Sequence, residues 1–278
     1  MPWPLAANLS LLFTEVDLLS RISLAAKAGF DGVEVQFPYE VPAESLKQAL
    51  LQASMPLALI NVPAGDLMTG GPGLAGVRSR QADFERALDQ AIAYARIARP
   101  QRINVLPGRL APDSTREKAL DTLISNCRLA AERLADEGIA VTCEAVNRHD
   151  MPGFLIATAA ELSEVLDRVD HPNFSAQLDI YHMARMGEGT EGVEEAIATL
   201  TGRIGHVQFA DAPGRGEPGT GELDFARCIS VLAASGYHGW LSAEYRPSAT
   251  TEAALGWVEH WRQAGWITPP ARSESPGR

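Results

Sequence analysis

No stretch of about 18 consecutive apolar residues occurs in the sequence, so a membrane-spanning helix is not expected. Residues 1–10 carry neither a basic region nor a long apolar run, so a secretory signal is not expected either. Cysteine is scarce: Cys127, Cys143 and Cys228 are scattered without the spacing of a metal or redox motif, which suits a reducing cytoplasm. Positive charge is scarce as well. With 24 Lys and Arg against 35 Asp and Glu, the net charge is −11, and no basic stripe is available for nucleic acid. An anionic small molecule stays open as a partner, because exposed charges are screened within ~8–10 Å and a few local cations outweigh a diffuse negative surface. No linker divides the chain, and the glycine turn of a nucleotide-binding sheet is missing near the start.

What the 278 residues contain instead is a regular alternation of short apolar runs and amphipathic stretches. Strands are expected at 5–9, 32–37, 57–62, 102–106, 140–146, 174–179, 204–210 and 240–244. Helices are expected near 15–28, 43–53, 80–98, 115–136, 159–168, 191–201, 223–235 and 251–264. Gly29, Gly138 and Gly236 stand where helices should stop, while Ser114 with Glu117 and Thr158 with Glu161 have capping-box spacing. Repeated strand–helix order demands a parallel sheet with right-handed crossovers, and eight units close most naturally into a barrel. The expected fold is therefore α/β: a single-domain (β/α)8 TIM barrel over residues 1–267, with its active site at the C-terminal ends of the strands. An open doubly wound sheet is the alternative, but it usually carries fewer units. Residues 268–278, rich in Pro, Ser and Arg, are expected to form a disordered tail. The Gly- and Pro-rich segments 64–79 and 211–221 are expected as functional loops over the strand ends.

Polar residues in or just after the later strands are the place to look for chemistry. The fifth strand offers Glu144, the sixth Asp179 followed by Tyr181 and His182, the seventh His206 and Gln208, and the eighth Glu244. Each alone is more often a cap, a salt bridge or a hydrogen-bonded core residue. Together they converge on one point, and three carboxylates with an amide oxygen make a hard cage suited to Mg2+ or Mn2+. His206 and Gln208 share a strand face by two-residue alternation; Gln208 lies nearer the strand end and is the fourth ligand, with His206 behind it. Cys143 faces away from Glu144 and reads as packing. Trp257 and Trp261, on the last helix, suit either the core or an interface between copies in a homo-oligomer.

These residues sit in stretches that resemble the hydroxypyruvate isomerase family, within the xylose-isomerase-like barrels. The matching stretches are Ala7-Asn8-Leu9-Ser10, Phe37-Pro38-Tyr39, Pro63-Ala64-Gly65-Asp66, Glu144-Ala145-Val146-Asn147-Arg148, Pro152-Gly153-Phe154 and Asp179-Ile180-Tyr181-His182-Met183. The most specific is His206-Val207-Gln208-Phe209-Ala210-Asp211 leading into Arg215-Gly216-Glu217-Pro218-Gly219-Thr220-Gly221-Glu222. Glu244-Tyr245 and Thr250-Thr251-Glu252-Ala253 complete the match. The resemblance implies Glu144, Asp179, Gln208 and Glu244 as metal ligands and the two glutamates as the acid/base pair. In related ketose epimerases the position of Gln208 is a histidine and that of Asp150 a glutamate; both departures favour the hydroxypyruvate-type branch.

The expected reaction interconverts hydroxypyruvate and tartronate semialdehyde (2-hydroxy-3-oxopropanoate) by proton transfer through an enediolate, on a small anionic hydroxy-keto acid. His182 and Arg215 are expected to bind substrate oxygens, Arg215 taking the carboxylate because guanidinium pairs with it bidentately. Asn8 and Asn61 are further candidates for orienting substrate or water. The nearest alternative is a 2-oxo-tetronate isomerase, or another sugar or sugar-acid isomerase or epimerase on the same barrel. A DNA-repair endonuclease would need a histidine-rich metal cluster and a basic face, and a silent binding barrel would have lost a ligand carboxylate.

Overall fold

The computed structural model describes residues 2–269. Eight parallel strands close into a barrel in sequence order, with β8 paired back to β1. They are β1 (Leu5–Asn8), β2 (Gly32–Val35), β3 (Leu57–Asn61), β4 (Arg102–Val105), β5 (Ala140–Glu144), β6 (Phe174–Asp179), β7 (Ile204–Phe209) and β8 (Leu241–Ala243). Around them run α1 (Leu18–Lys27), α2 (Ala43–Ala53), α3 (Gln81–Ala98), α4 (Arg116–Ala135) and α5 (Ala159–Val169). The outer ring continues with α6 (Ile180–Met186), α7 (Thr190–Thr199), α8 (Phe225–Ala234) and α9 (Gly256–Gln263). The strands fall where the apolar runs place them, because a parallel strand between a helix ring and a filled interior is buried on both faces. Among the described residues, no helix is long and apolar enough to cross a membrane.

Two details differ from the sequence pattern. The N-cap of α4 is Thr115 rather than Ser114: Thr115 Oγ1 accepts from Lys118 N at 3.4 Å, while Ser114 belongs to the turn before it. And α6 is absent from the expected pattern. It follows β6 without a loop, since Asp179 ends the strand and its Oδ1 caps the helix by accepting from Tyr181 N at 2.8 Å. Residues 180–184 are all buried, so α6 shows no polar stripe to mark it as a helix.

Trp257 and Trp261 belong to the core. They pack with Phe209 of β7 at ring-centroid distances of 5.3 and 4.9 Å, tying α9 to the barrel wall. Of the tail expected from 268, residues 270–278 lie outside the described residues; the Thr268 N–H donates to Trp3 O at 3.0 Å.

The capping box of α5 is present. Thr158 Oγ1 accepts from Glu161 N at 3.2 Å, and Glu161 Oε2 accepts from Thr158 N at 3.3 Å. Glu161 also receives Ala157 N, Arg148 and Arg116, so it anchors the loop between β5 and α5. Burial pushes its carboxyl up, but the hydrogen bonds and charges from Arg148, Ala157 and Arg116 outweigh that and hold it below its usual value. Glu161→Ala is expected to cost about 1–2 kcal/mol of unfolding free energy, as measured by urea titration near pH 7. Because the folded value is depressed, that contribution is present above the usual carboxyl value and is lost as pH falls through the folded one. The gap between wild type and variant should therefore close in acid.

Candidate active site

The upper barrel interior is polar where bulky aliphatic layers would be usual. Strand pairing puts these residues at matching heights: Asn61 beside Asn104, Asn104 beside Thr142, Glu144 beside Gln177, and Asp179 beside Gln208. Above them a cavity of about 190 Å³ is lined by Gln36, Asn61, Glu144, His182, Arg215 and Glu244, among others. It opens at the strand ends, where a (β/α)8 barrel places its chemistry.

The expected site residues converge, in two linked groups. Ligand atoms of Glu144, Asp179 and His182 lie within 4.8 Å of one another. His182 Nε2 is 3.5 Å from Asp179 Oδ2 and 3.8 Å from Glu144 Oε1. Glu244 joins through Arg215, whose Nη2 lies 3.1 Å from Glu244 Oε1 and 3.6 Å from Asp179 Oδ2. Gln208 stands beneath, its Oε1 accepting from Gln177 Nε2 at 2.6 Å. Asp179 Oδ2 is buried without a hydrogen-bond partner. An orphaned carboxylate oxygen beside two more buried acids is a site short of positive charge, so the donor set fits a divalent cation.

Electrostatics sharpen this. Burial, then the charges of Glu244 and Asp179, push the Glu144 carboxyl well above the usual range. Burial pushes Glu244 up to about 8; Arg215 opposes the shift and Asp179 adds to it. Burial also lowers His182 to about 4, which leaves the ring neutral near pH 7.

The tautomer of His182 follows from its neighbours. Asn147 Oδ1 accepts from Asp150 N at 2.9 Å, so the amide nitrogen of Asn147 faces His182 Nδ1 at 2.7 Å. Nδ1 is thus the acceptor and Nε2 carries the hydrogen. His182 presents an N–H to the cavity, suited to a substrate oxygen rather than to a cation.

Arg215 is placed by its loop. Asp211, 1% exposed, accepts four backbone N–H groups, from Ala212, Gly219, Gly221 and Leu223. A Cβ on Gly221 would lie 2.1 Å from Ala212 O, so the wrap closes only around glycine. Arg215 sits in the left-handed region at φ 56°, its carbonyl accepting from Arg246 N at 2.8 Å. The guanidinium lies 5.2 Å from the centre of the Tyr181 ring, and its buried Nε has no partner.

Sequence reasoning passed over Glu34, Gln36, Asn104 and Gln177. Gln36 Nε2 donates to Glu244 Oε1 at 2.6 Å, and Asn104 and Gln177 donate to Glu144 Oε2 at 3.4 and 3.1 Å. The available signal was polar residues at two-residue spacing inside apolar strands, as in Glu34 and Gln36. Asn8 turns inward to Glu34, and Asn61 Oδ1 accepts from Asn104 Nδ2 at 3.2 Å.

Residues 22–261 match the family model described as Xylose isomerase-like TIM barrel. The hydroxypyruvate isomerase of Escherichia coli (strain K12) is 40% identical over 92% of this chain and 98% of its own. The 2-oxo-tetronate isomerase of Pectobacterium atrosepticum is 37% identical over 92% of this chain and 97% of its own. A crystal structure described as AP endonuclease, family 2, from Brucella melitensis superposes with a TM-score of 0.88 at 38% identity, covering 94% of this chain and 99% of that one. The chain belongs to the xylose isomerase-like TIM barrels, and among them to the hydroxypyruvate isomerase family.

Proposed function

We propose that the protein interconverts hydroxypyruvate and tartronate semialdehyde, with Glu144 and Glu244 as the proton-transfer pair. The observation that carries this is two buried carboxylates, Glu144 and Glu244, lining one cavity with a guanidinium, each pushed above the usual carboxyl range chiefly by burial. A carboxyl titrating near its usual ~4.3 is too weak a base for a carbon acid, and raising it toward working pH suits it for the task. One glutamate takes the proton from the hydroxymethyl carbon and the other returns one to the adjacent carbon, through an enediolate. Meanwhile the hydroxyl proton passes from the first carbon's oxygen to the former ketone oxygen. His182 Nε2–H donates to a substrate oxygen, and the guanidinium of Arg215, which lines the same cavity, meets the substrate carboxylate. A divalent cation, Mg2+ or Mn2+, held by Glu144, Asp179, Gln208 and Glu244 would polarise the substrate carbonyl and stabilise the developing oxyanion.

The net charge of −11 speaks against the DNA chemistry named for the Brucella structure. The three cysteines are buried free thiols, which fits a cytoplasmic enzyme. The 2-oxo-tetronate relative makes a four-carbon acid the second reading.

The test incubates pure protein with hydroxypyruvate, and separately with 2-oxo-tetronate, with and without EDTA. Tartronate semialdehyde should form, stop forming on complete chelation, and form again on adding Mg2+ or Mn2+. No conversion by the metal-loaded protein sinks the substrate, and full activity after verified metal removal sinks the cation's role. Faster turnover of the four-carbon acid would favour the second reading.

A further inference from the structure

Glu34 lies on β2 with none of its surface exposed, and its carboxylate accepts three hydrogen bonds. They come from Asn8 Nδ2 at 2.8 Å, Gln208 Nε2 at 2.6 Å and His206 Nε2 at 2.7 Å. An ionised carboxylate only accepts, so each partner must present an N–H to it. For Gln208 this fixes the sense of the amide: nitrogen toward Glu34, Oε1 turned away. There Oε1 accepts one hydrogen from Gln177 Nε2, whose second hydrogen goes to Glu144 Oε2 at 3.1 Å. The oxygen of Gln177 accepts in turn from Thr142 Oγ1 at 3.1 Å. Every polar group of two amides is thereby assigned, starting from the carboxylate of Glu34.

The surroundings hold Glu34 as that starting point. Ser10 N binds Asn8 Oδ1 at 2.9 Å, which leaves the amide nitrogen of Asn8 for Glu34. His206 Nδ1 has no partner, so the polar contact of its ring is the one to Glu34. Burial alone would raise the Glu34 carboxyl, yet His206, Gln208 and Asn8 together hold it below the usual value.

We propose that Glu34 is a positioning residue, fixing the amide of Gln208 so that Oε1 faces the cation site and, through Gln177, leaving Glu144 Oε1 toward the cavity. The inference rests on the reading of Gln208 as a cation ligand. An amide oxygen has two acceptor positions, so Oε1 keeps the Gln177 hydrogen and has one left for a cation. Reversing the amide would set its NH2 against both the cation and the NH2 of Gln177.

The experiment is calorimetric titration of the metal-free protein with Mn2+ alone. Glu34→Leu removes the oxygen that accepts from Gln208, and Mn2+ affinity should fall about 10–100-fold, the usual cost of losing a group that orients a ligand. In a Gln208→Ala background the same substitution should add no further loss, since nothing remains for it to orient. Should Glu34→Leu fail to fold, Glu34→Asp keeps the buried charge but draws it back from Gln208, and the same two comparisons apply. Unchanged affinity where Gln208 is intact, or an equal loss with Gln208 intact and with Gln208→Ala, overturns the proposal, because a merely structural role would not distinguish the two backgrounds. Wild-type protein that binds no Mn2+ overturns this inference together with the cation reading. Normal wild-type binding with an unaffected Glu34 variant overturns this inference alone.

Discussion

Glu144→Gln is expected to lower kcat by about 10³–10⁴-fold while the protein stays folded, and Glu244→Gln to do the same within that range. The amide keeps the shape of the carboxyl but cannot take a proton from carbon. Glu144 Oε2 accepts from Asn104 and Gln177, contacts that the remaining oxygen of a glutamine can keep. Glu244 Oε1 accepts from Gln36 and Arg215, and the same holds there. Since the two act as a unit, the double variant should lose little more than either single one. Turnover from single-turnover kinetics and folding from circular dichroism decide the matter; near-normal turnover in either variant removes that residue from the pair.

Stability should move the other way. An acid whose folded value is raised binds its proton more tightly in the native state, so it erodes stability as pH rises from the usual carboxyl value toward the raised one. For Glu244 that interval reaches up to about 8. In metal-free protein Glu244→Gln removes this slope, and its gain in melting temperature over wild type should be larger at pH 8 than at pH 5.

The barrel was legible because each of its signals is local: apolar runs of strand length, glycines after helices, and the Thr158–Glu161 spacing. Glu144, Asp179, Gln208 and Glu244 were legible for the same reason, as polar residues at the ends of consecutive strands. Contacts across the barrel were not. Glu34 and His206 stand 172 positions apart and meet only because β2 and β7 face each other through the closed sheet. Nothing in Gly32-Val33-Glu34-Val35 says which residue Glu34 will hold. The tautomer of His182 was hidden too, since it depends on an Asn147 amide fixed by its own loop. And α6 was invisible because burial on all sides removes the amphipathic period that announces a helix.

Arg215→Gln is expected to reduce kcat/KM by about 10²–10³-fold, roughly 3–4 kcal/mol of transition-state stabilisation. The guanidinium does two things at once. It lines the cavity where the substrate carboxylate is proposed to bind, and its Nη2 lies 3.1 Å from Glu244 and 3.6 Å from Asp179. Losing the first raises KM. Losing the second removes the largest influence that opposes burial at Glu244, so that carboxyl is pushed up further. A base must be ionised to act, and the acidic limb of the kcat/KM profile should therefore move to higher pH in the variant. Removing one partner from a buried ion pair typically costs 3–5 kcal/mol, but here the stranded acids can take up protons, so the loss should be smaller and should grow with pH. Arg215→Lys restores positive charge without the two-edged fork, because one ammonium cannot serve the acids and the substrate together. It should return the pH profile toward wild type while KM stays high. A lysine variant that recovers both would mean that charge alone matters at this position, and a glutamine variant with an unmoved pH limb would detach Arg215 from Glu244.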